Sequence, residues 1–87
     1  MIKVFVFIKA TGPSVVAELG KSVADVEGVY ECYSVTGEHD LIAVLWLRNH
    51  EDIALVVTEK IAALAGISST TTVIAFRTYS SADEKLV

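Results

Sequence analysis

Two stretches of this chain, residues 2–9 (IKVFVFIK) and 41–47 (LIAVLWL), are almost unbroken runs of β-branched, aliphatic and aromatic side chains. Successive side chains of a strand point to opposite faces of its sheet, so a strand that is apolar on both sides has to be covered on both. Ile2, Val4, Val6 and Ile8 alternate with Phe5 and Phe7, while Leu41, Ala43, Leu45 and Leu47 alternate with Ile42, Val44 and Trp46. The two segments are therefore read as strands at the centre of a sheet. Neither approaches the roughly 18 consecutive apolar residues of a membrane span, and Lys9 interrupts the first without the small-residue cleavage site of a signal peptide.

The punctuation between these runs supplies the other elements. Thr11-Gly12-Pro13 closes the first strand; Pro13 suits a first helical position, with Thr11 or Gly12 capping ahead of it. Val16, Leu19, Val23 and Val26 then recur at spacings of three and four, the stripe of an amphipathic helix, and Gly28 stands where a left-handed C-terminal cap belongs. A second strand is predicted over 29–36. Asn49 caps a second helix with Asp52 at its third position, and Ile53, Val56, Val57, Ile61 and Leu64 form its apolar stripe. Gly66 ends it, a fourth strand is predicted over 67–79, and 80–87 read as a polar tail outside a single domain at 1–79.

Strand, helix, strand, strand, helix, strand, with a helix-Gly-strand junction in each half, is the α+β, ferredoxin-like βαββαβ duplication. Right-handed crossovers put the first and third strands in the centre of a four-stranded antiparallel sheet with both helices on one face. The other face stays apolar and uncovered, beyond the few hundred Å² usual on a soluble monomer, so two copies are expected to pack sheet to sheet about a twofold axis.

Composition excludes several classes of function. Eighty-seven residues make one domain, and 53% hydrophobic residues supply a core. A net charge of −4 is the wrong sign for a chain that displaces counterions from a duplex, so no direct nucleic-acid contact is expected. One cysteine, Cys32, makes no internal disulfide and carries no catalytic signature, which suggests a reducing, cytoplasmic setting and a structural thiol. Gly-rich phosphate loops, nucleophile elbows and metal-type spacings around His39 and His50 are absent, so no catalytic residue, metal or cofactor is expected.

The polar residues concentrate in two places. In Thr36-Gly37-Glu38-His39-Asp40, Gly37 permits a positive φ that turns backbone amides toward a ligand, and Asp40 offers a carboxylate; together they suit the ammonium and carboxylate of an amino acid. A loop carboxylate contributes little to a core, so Asp40→Ala is expected to weaken ligand binding and leave the fold intact. The hydroxyl run Ser68 to Thr72 opens the fourth strand, and the topology brings that start to a corner neighbouring the loop. Alternatives on the same architecture are a small dimeric barrel enzyme of monooxygenase type, marked by a perturbed titratable group between sheet and helices, and an ACT-like allosteric module.

Taken together, Glu27-Gly28-Val29, Val35-Thr36-Gly37-Glu38-His39-Asp40-Leu41 and Ala65-Gly66-Ile67 followed by Ser69-Thr70-Thr71-Thr72-Val73-Ile74 resemble the effector-binding (RAM) domain of Lrp/AsnC, or feast/famine, transcriptional regulators. The resemblance covers residues 2–79. It implies a dimeric α+β barrel, further assembly such as an octamer, and an amino acid or related metabolite bound between dimers. It also implies contacts from the family's Gly-x-x-Asp loop, here Gly37, Glu38, His39 and Asp40, supplemented by Thr70, Thr71 and Thr72. His39 stands where an aromatic residue, often Tyr, is frequent. Full-length relatives carry an N-terminal helix-turn-helix, and here a strand begins at Ile2; the expectation is a stand-alone effector domain that senses a ligand itself or co-assembles with a full-length regulator.

Overall fold

The computed structural model describes residues 1–81, and most of the expected tail lies outside them. Strands β1 (Ile2–Ala10), β2 (Val29–Ser34), β3 (Leu41–Leu47) and β4 (Ile67–Ile74) form one antiparallel sheet in the order β2-β3-β1-β4. The two apolar runs are the two central strands. The sheet is open: β2 and β4 are its free edges, at opposite sides of the β3-β1 pair, and the barrel implied by the resemblance does not form. A single βαββαβ unit has only four strands, and closure demands a pairing partner for each edge.

Helix α1 (Val16–Ala24) is entered through a 3-10 turn, Pro13–Val15, with Pro13 at its start. Leu19 and Val23 are fully buried, and Val16 and Val26 pack against the same core. From β1 that core takes Val4, Val6 and Ile8, and from β3 Leu41, Ala43, Leu45 and Leu47. These even positions of β1 and odd positions of β3 lie opposite one another in register, which places them on one face.

The second helix departs from expectation in its backbone. Asn49 caps it as predicted, its Oδ1 accepting from the Asp52 amide at 3.0 Å, but the α-helical part, α2, spans only His50–Ala54 and continues as a π-helix over Leu55–Ile61. The Thr58 hydroxyl donates to the Ala54 carbonyl, the acceptor that the Thr58 amide would use in an α-helix. Such local side-chain competition loosens the i to i−4 ladder, and at the end of the segment the Ala62 amide reaches back five residues to the Val57 carbonyl. Ile53, Val56, Val57 and Ile61 are buried nonetheless, so the wider turn serves the apolar stripe.

Two strands end sooner than their composition suggests. β2 stops at Ser34, where the turn to β3 begins, and β4 stops at Ile74. Beyond Ile74, the Ala75 amide still reaches the Lys3 carbonyl, but β1 begins at Ile2 and offers no partner past that point. Phe76 and Tyr79 follow as almost fully exposed side chains.

Candidate functional site

The loop between β2 and β3 is closed by Val35 N–H donating to the Asp40 carbonyl at 3.0 Å. Inside it Gly37 adopts φ 111° with open space around its Cα, as the expected role requires. Asp40 is more firmly tied than expected. Its amide donates to the Ile8 carbonyl at 2.9 Å, and its Oδ2 accepts from the Ala10 amide at 2.7 Å. The β1-β3 ladder ends at the Ile8/Leu41 pair, so the carboxylate satisfies the amide that the ladder leaves over. The expectation that Asp40 is a loop carboxylate of little structural weight is thus corrected: one of its carboxylate oxygens supports the end of β1.

His39 lies against Phe7, ring centroids 5.4 Å apart and tilted by 54°. Phe7 pairs with Ile42 on one side and Thr71 on the other, and Ile42 pairs with Tyr33. Directly opposite residues share a sheet face, so Tyr33, Ile42, Phe7 and Thr71 make a row across the face away from the helices, and His39 sits over its centre. Of the three threonines, only Thr71 shares the sheet face of Phe7, the ring that His39 packs against. Thr70 and Thr72 pair with Ile8 and Val6, which puts them on the helix side. Phe7 belongs to this constellation, and its sequence signal was the second apolar face of β1. The Ala10 amide had no signal in sequence, because only the β1-β3 register brings it to Asp40.

On the helix side, a groove of about 530 Å³ runs between α1 and the β2 edge, walled by Val16, Ala17, Gly20, Ala24, Cys32 and Leu41. Cys32 is half-buried, and burial pushes its thiol above the usual thiol range. Such a thiol is protonated and unreactive near neutrality, the opposite of an activated nucleophile. Among the described residues no group of three His, Cys, Asp or Glu side chains is placed to hold a metal. The sign of the Cys32 effect is testable. Above the ordinary thiol pKa the folded chain keeps a proton that the unfolded chain has released, so this group's contribution is nil below that pKa and destabilising as pH rises through and beyond it. Cys32→Ala is expected to flatten that alkaline decline in denaturant titrations, and alkylation of the native thiol should run slower than that of a free thiol at the same pH.

The geometry and the sequence agree with one family. Residues 3–84 match the model of the Lrp/AsnC ligand binding domain. The chain belongs to that family. A solved structure, TTHA0845 from Thermus thermophilus, superposes with a TM-score of 0.86 at 41% identity, covering 92% of this chain and 99% of that one. The uncharacterized HTH-type transcriptional regulator PF0250 of Pyrococcus furiosus is 33% identical over 70% of this chain and 41% of its own length. The chain thus spans about two fifths of that curated relative. The fold alone is shared with the Neisseria meningitidis transcriptional regulator NMB0573, solved as a complex with L-Met, at a TM-score of 0.77 and 14% identity over 87% of this chain and 50% of that one. The Lrp/AsnC domain is a regulatory, ligand-binding module and not an enzyme. Among the described residues no helix is long and apolar enough to cross a membrane.

Proposed function

We propose that this Lrp/AsnC domain is an amino-acid-responsive effector module, in which the Gly37, Glu38, His39 and Asp40 loop together with Thr71 receives a free amino acid or a related small metabolite. The observation that carries the reading is the convergence of His39 and Thr71 on Phe7 at the rim of the open sheet face. There polar donors and acceptors border an apolar floor, the composition of a small-molecule site. Thr70 and Thr72, on the opposite face, act at most through the strand that holds Thr71. The L-Met complex of NMB0573 supports the ligand class through fold likeness alone.

The open face supplies the coupling. Half-buried Phe5, Phe7 and Ile42 lie there around the buried Val44 and beside the more exposed Trp46 and Val73, an apolar surface that a second copy covers in a homodimer. Lys3 Nζ lies 4.9 Å from the Trp46 ring centroid, a cation-π contact worth about 0.5–1 kcal/mol that shields part of that ring. A ligand at the rim of such an interface shifts assembly by its differential affinity for the assembled and separate states. Higher oligomers such as an octamer, co-assembly with full-length regulators and a cytoplasmic setting follow from the same reading, and the net charge of −4 leaves nucleic-acid contact to a partner.

The test is a thermal-shift screen of the purified chain against the twenty amino acids, with light scattering on the same samples. A ligand at about 100 times its dissociation constant is expected to add roughly 2.7 kcal/mol, and His39→Ala is expected to abolish the shift. No response across the panel, or a response untouched in His39→Ala, removes the loop from the mechanism. Phe5→Asp is expected to reduce the scattering mass to that of a single 9.4 kDa chain; a mass equal to that of the wild type rules out sheet-face pairing.

A further inference from the structure

Beyond β4 the chain leaves the sheet as an arm, residues 75–79. The Ala75 amide donates to the Lys3 carbonyl at 2.9 Å, and past it Phe76 and Tyr79 are 97% and 84% exposed. Among the described residues no other large apolar side chains are as open to solvent. An aromatic ring that finds a partner buries about 150–250 Å², and in its own chain Phe76 touches almost nothing.

A receptor of matching chemistry lies at the same end of the sheet. Met1, Lys3, Tyr30 and Trp46 line an open trough of about 600 Å³. Lys3 and Trp46 stand opposite one another in register, and the shift between Val29 and Glu31 leaves the largely exposed Tyr30 outside the ladder. Glu31 follows on the open face, since it lies opposite Val44 and Val44 opposite Phe5. The strand order puts the trough on the β2-β3 side and the arm on the β4 side, so arm and trough sit at opposite margins of one molecule.

Twofold symmetry brings them together. Two sheets packed face to face are related by an axis between them that runs either mainly across the strands or mainly along them. An axis across the strands reverses the ends and sets each arm beside the polar pair Lys9 and Ser69, at the Gly37-loop end of the other copy. An axis along the strands keeps the ends together and exchanges the margins, so that each β4 lies over the other copy's β2. Only this second arrangement brings an aromatic arm to an aromatic trough, and it does so twice. Arg77, between the two rings of the arm, then comes beside the partner's Glu31; among the described residues neither side chain forms an ion pair within its own chain.

We propose that the arm is exchanged between two copies of this chain, Phe76 and Tyr79 of each seating in the Met1, Lys3, Tyr30 and Trp46 trough of the other. The proposal rests on the sheet-face pairing given above and adds to it the contact that selects the direction of the axis.

The experiment is analytical ultracentrifugation of the whole chain over a concentration series. The chains compared are the wild type, Phe5→Asp, Phe76→Ala/Tyr79→Ala, Tyr30→Ala, and the arm and trough substitutions combined, with circular dichroism to show that each is folded. The arm pair and Tyr30→Ala are each expected to raise the dimer dissociation constant at least about tenfold. The combined chain should fall well short of the product of the two effects, because both remove the same contact. A second measurement reads the geometry. In a Cys32→Ala background, a chain carrying Phe76→Cys mixed with one carrying Tyr30→Cys is expected to give a disulfide-linked heterodimer on mild oxidation, and Glu59→Cys in place of Phe76→Cys is not. A dissociation constant unchanged in the arm pair, with Phe5→Asp monomeric, overturns the exchange and leaves the sheet-face pairing standing. A wild type that is monomeric at every concentration overturns both. A disulfide closing within one chain that carries Phe76→Cys and Tyr30→Cys together overturns the exchange as well, because the arm then seats on its own trough.

Discussion

Gly28→Ala is expected to lower the unfolding free energy by about 2–6 kcal/mol, the largest effect of any single-methyl addition in this chain. Two costs combine. Gly28 adopts φ 99°, and its missing Cβ would lie 2.8 Å from Leu47 Cδ2. A left-handed conformation costs a residue with a Cβ about 1–3 kcal/mol, and forcing a methyl into a packed core costs about the same again. Leu47 has little room to give way, because it is 5% exposed and packed within the core. Urea titration checks the prediction: the midpoint should fall while the slope stays unchanged, which separates lost stability from a change in the unfolded state. Gly12→Ala is the control. Gly12 is extended, at φ −174°, with nothing near the position of an added Cβ, so its unfolding free energy should change by less than about 0.5 kcal/mol. Equal effects at the two positions would remove the left-handed junction as the cause.

Asp40→Ala is expected to destabilise by about 1–3 kcal/mol, the cost of leaving a buried donor unsatisfied. The donor is the amide of Ala10, which is 8% exposed and lies beyond the end of the β1-β3 ladder. Asp40→Asn retains a carbonyl oxygen at the same place and is expected to recover most of that loss. The pair of variants separates two roles that one substitution confounds. If the carboxylate also meets a ligand's ammonium, Asp40→Asn folds normally yet binds an amino acid more weakly, because the charge is gone and the hydrogen bond to Ala10 is not. Should Asp40→Ala unfold at the wild-type midpoint, the Ala10 contact contributes nothing to stability.

Most of the framework was legible in the residues because it rests on short-range rules. The 3.6-residue stripes at Leu19/Val23 and Ile53/Val57/Ile61 became helix faces packed on the core. Gly28 and Gly66 both adopt positive φ, though not as helix caps: the helices end at Ala24 and Ile61 with Asp25 and Ala62 as their caps, and the glycines stand in the turns that lead into β2 and β4. The candidate site was legible only in part. A polar loop with a glycine is visible in sequence, but which threonine joins it depends on strand register, where a shift of one residue exchanges the faces. The lateral pairing of β4 against β1 puts Thr71 beside Phe7 and turns Thr70 and Thr72 away.

What the sequence by itself determined is therefore the order of the elements, the two central strands and the core positions, since each follows from local periodicity, turn chemistry and the spacing of residues along the chain. What only the tertiary structure decided is where side chains distant in sequence meet. The Asp40 carboxylate on the Ala10 amide, His39 over Phe7, and the open edges at β2 and β4 all depend on register and strand order. The π-helical turn belongs with them. Its sequence shows the same apolar stripe as an α-helix, and the choice between the two ladders is made by a side-chain hydroxyl on the Ala54 carbonyl and by how the stripe seats on the sheet.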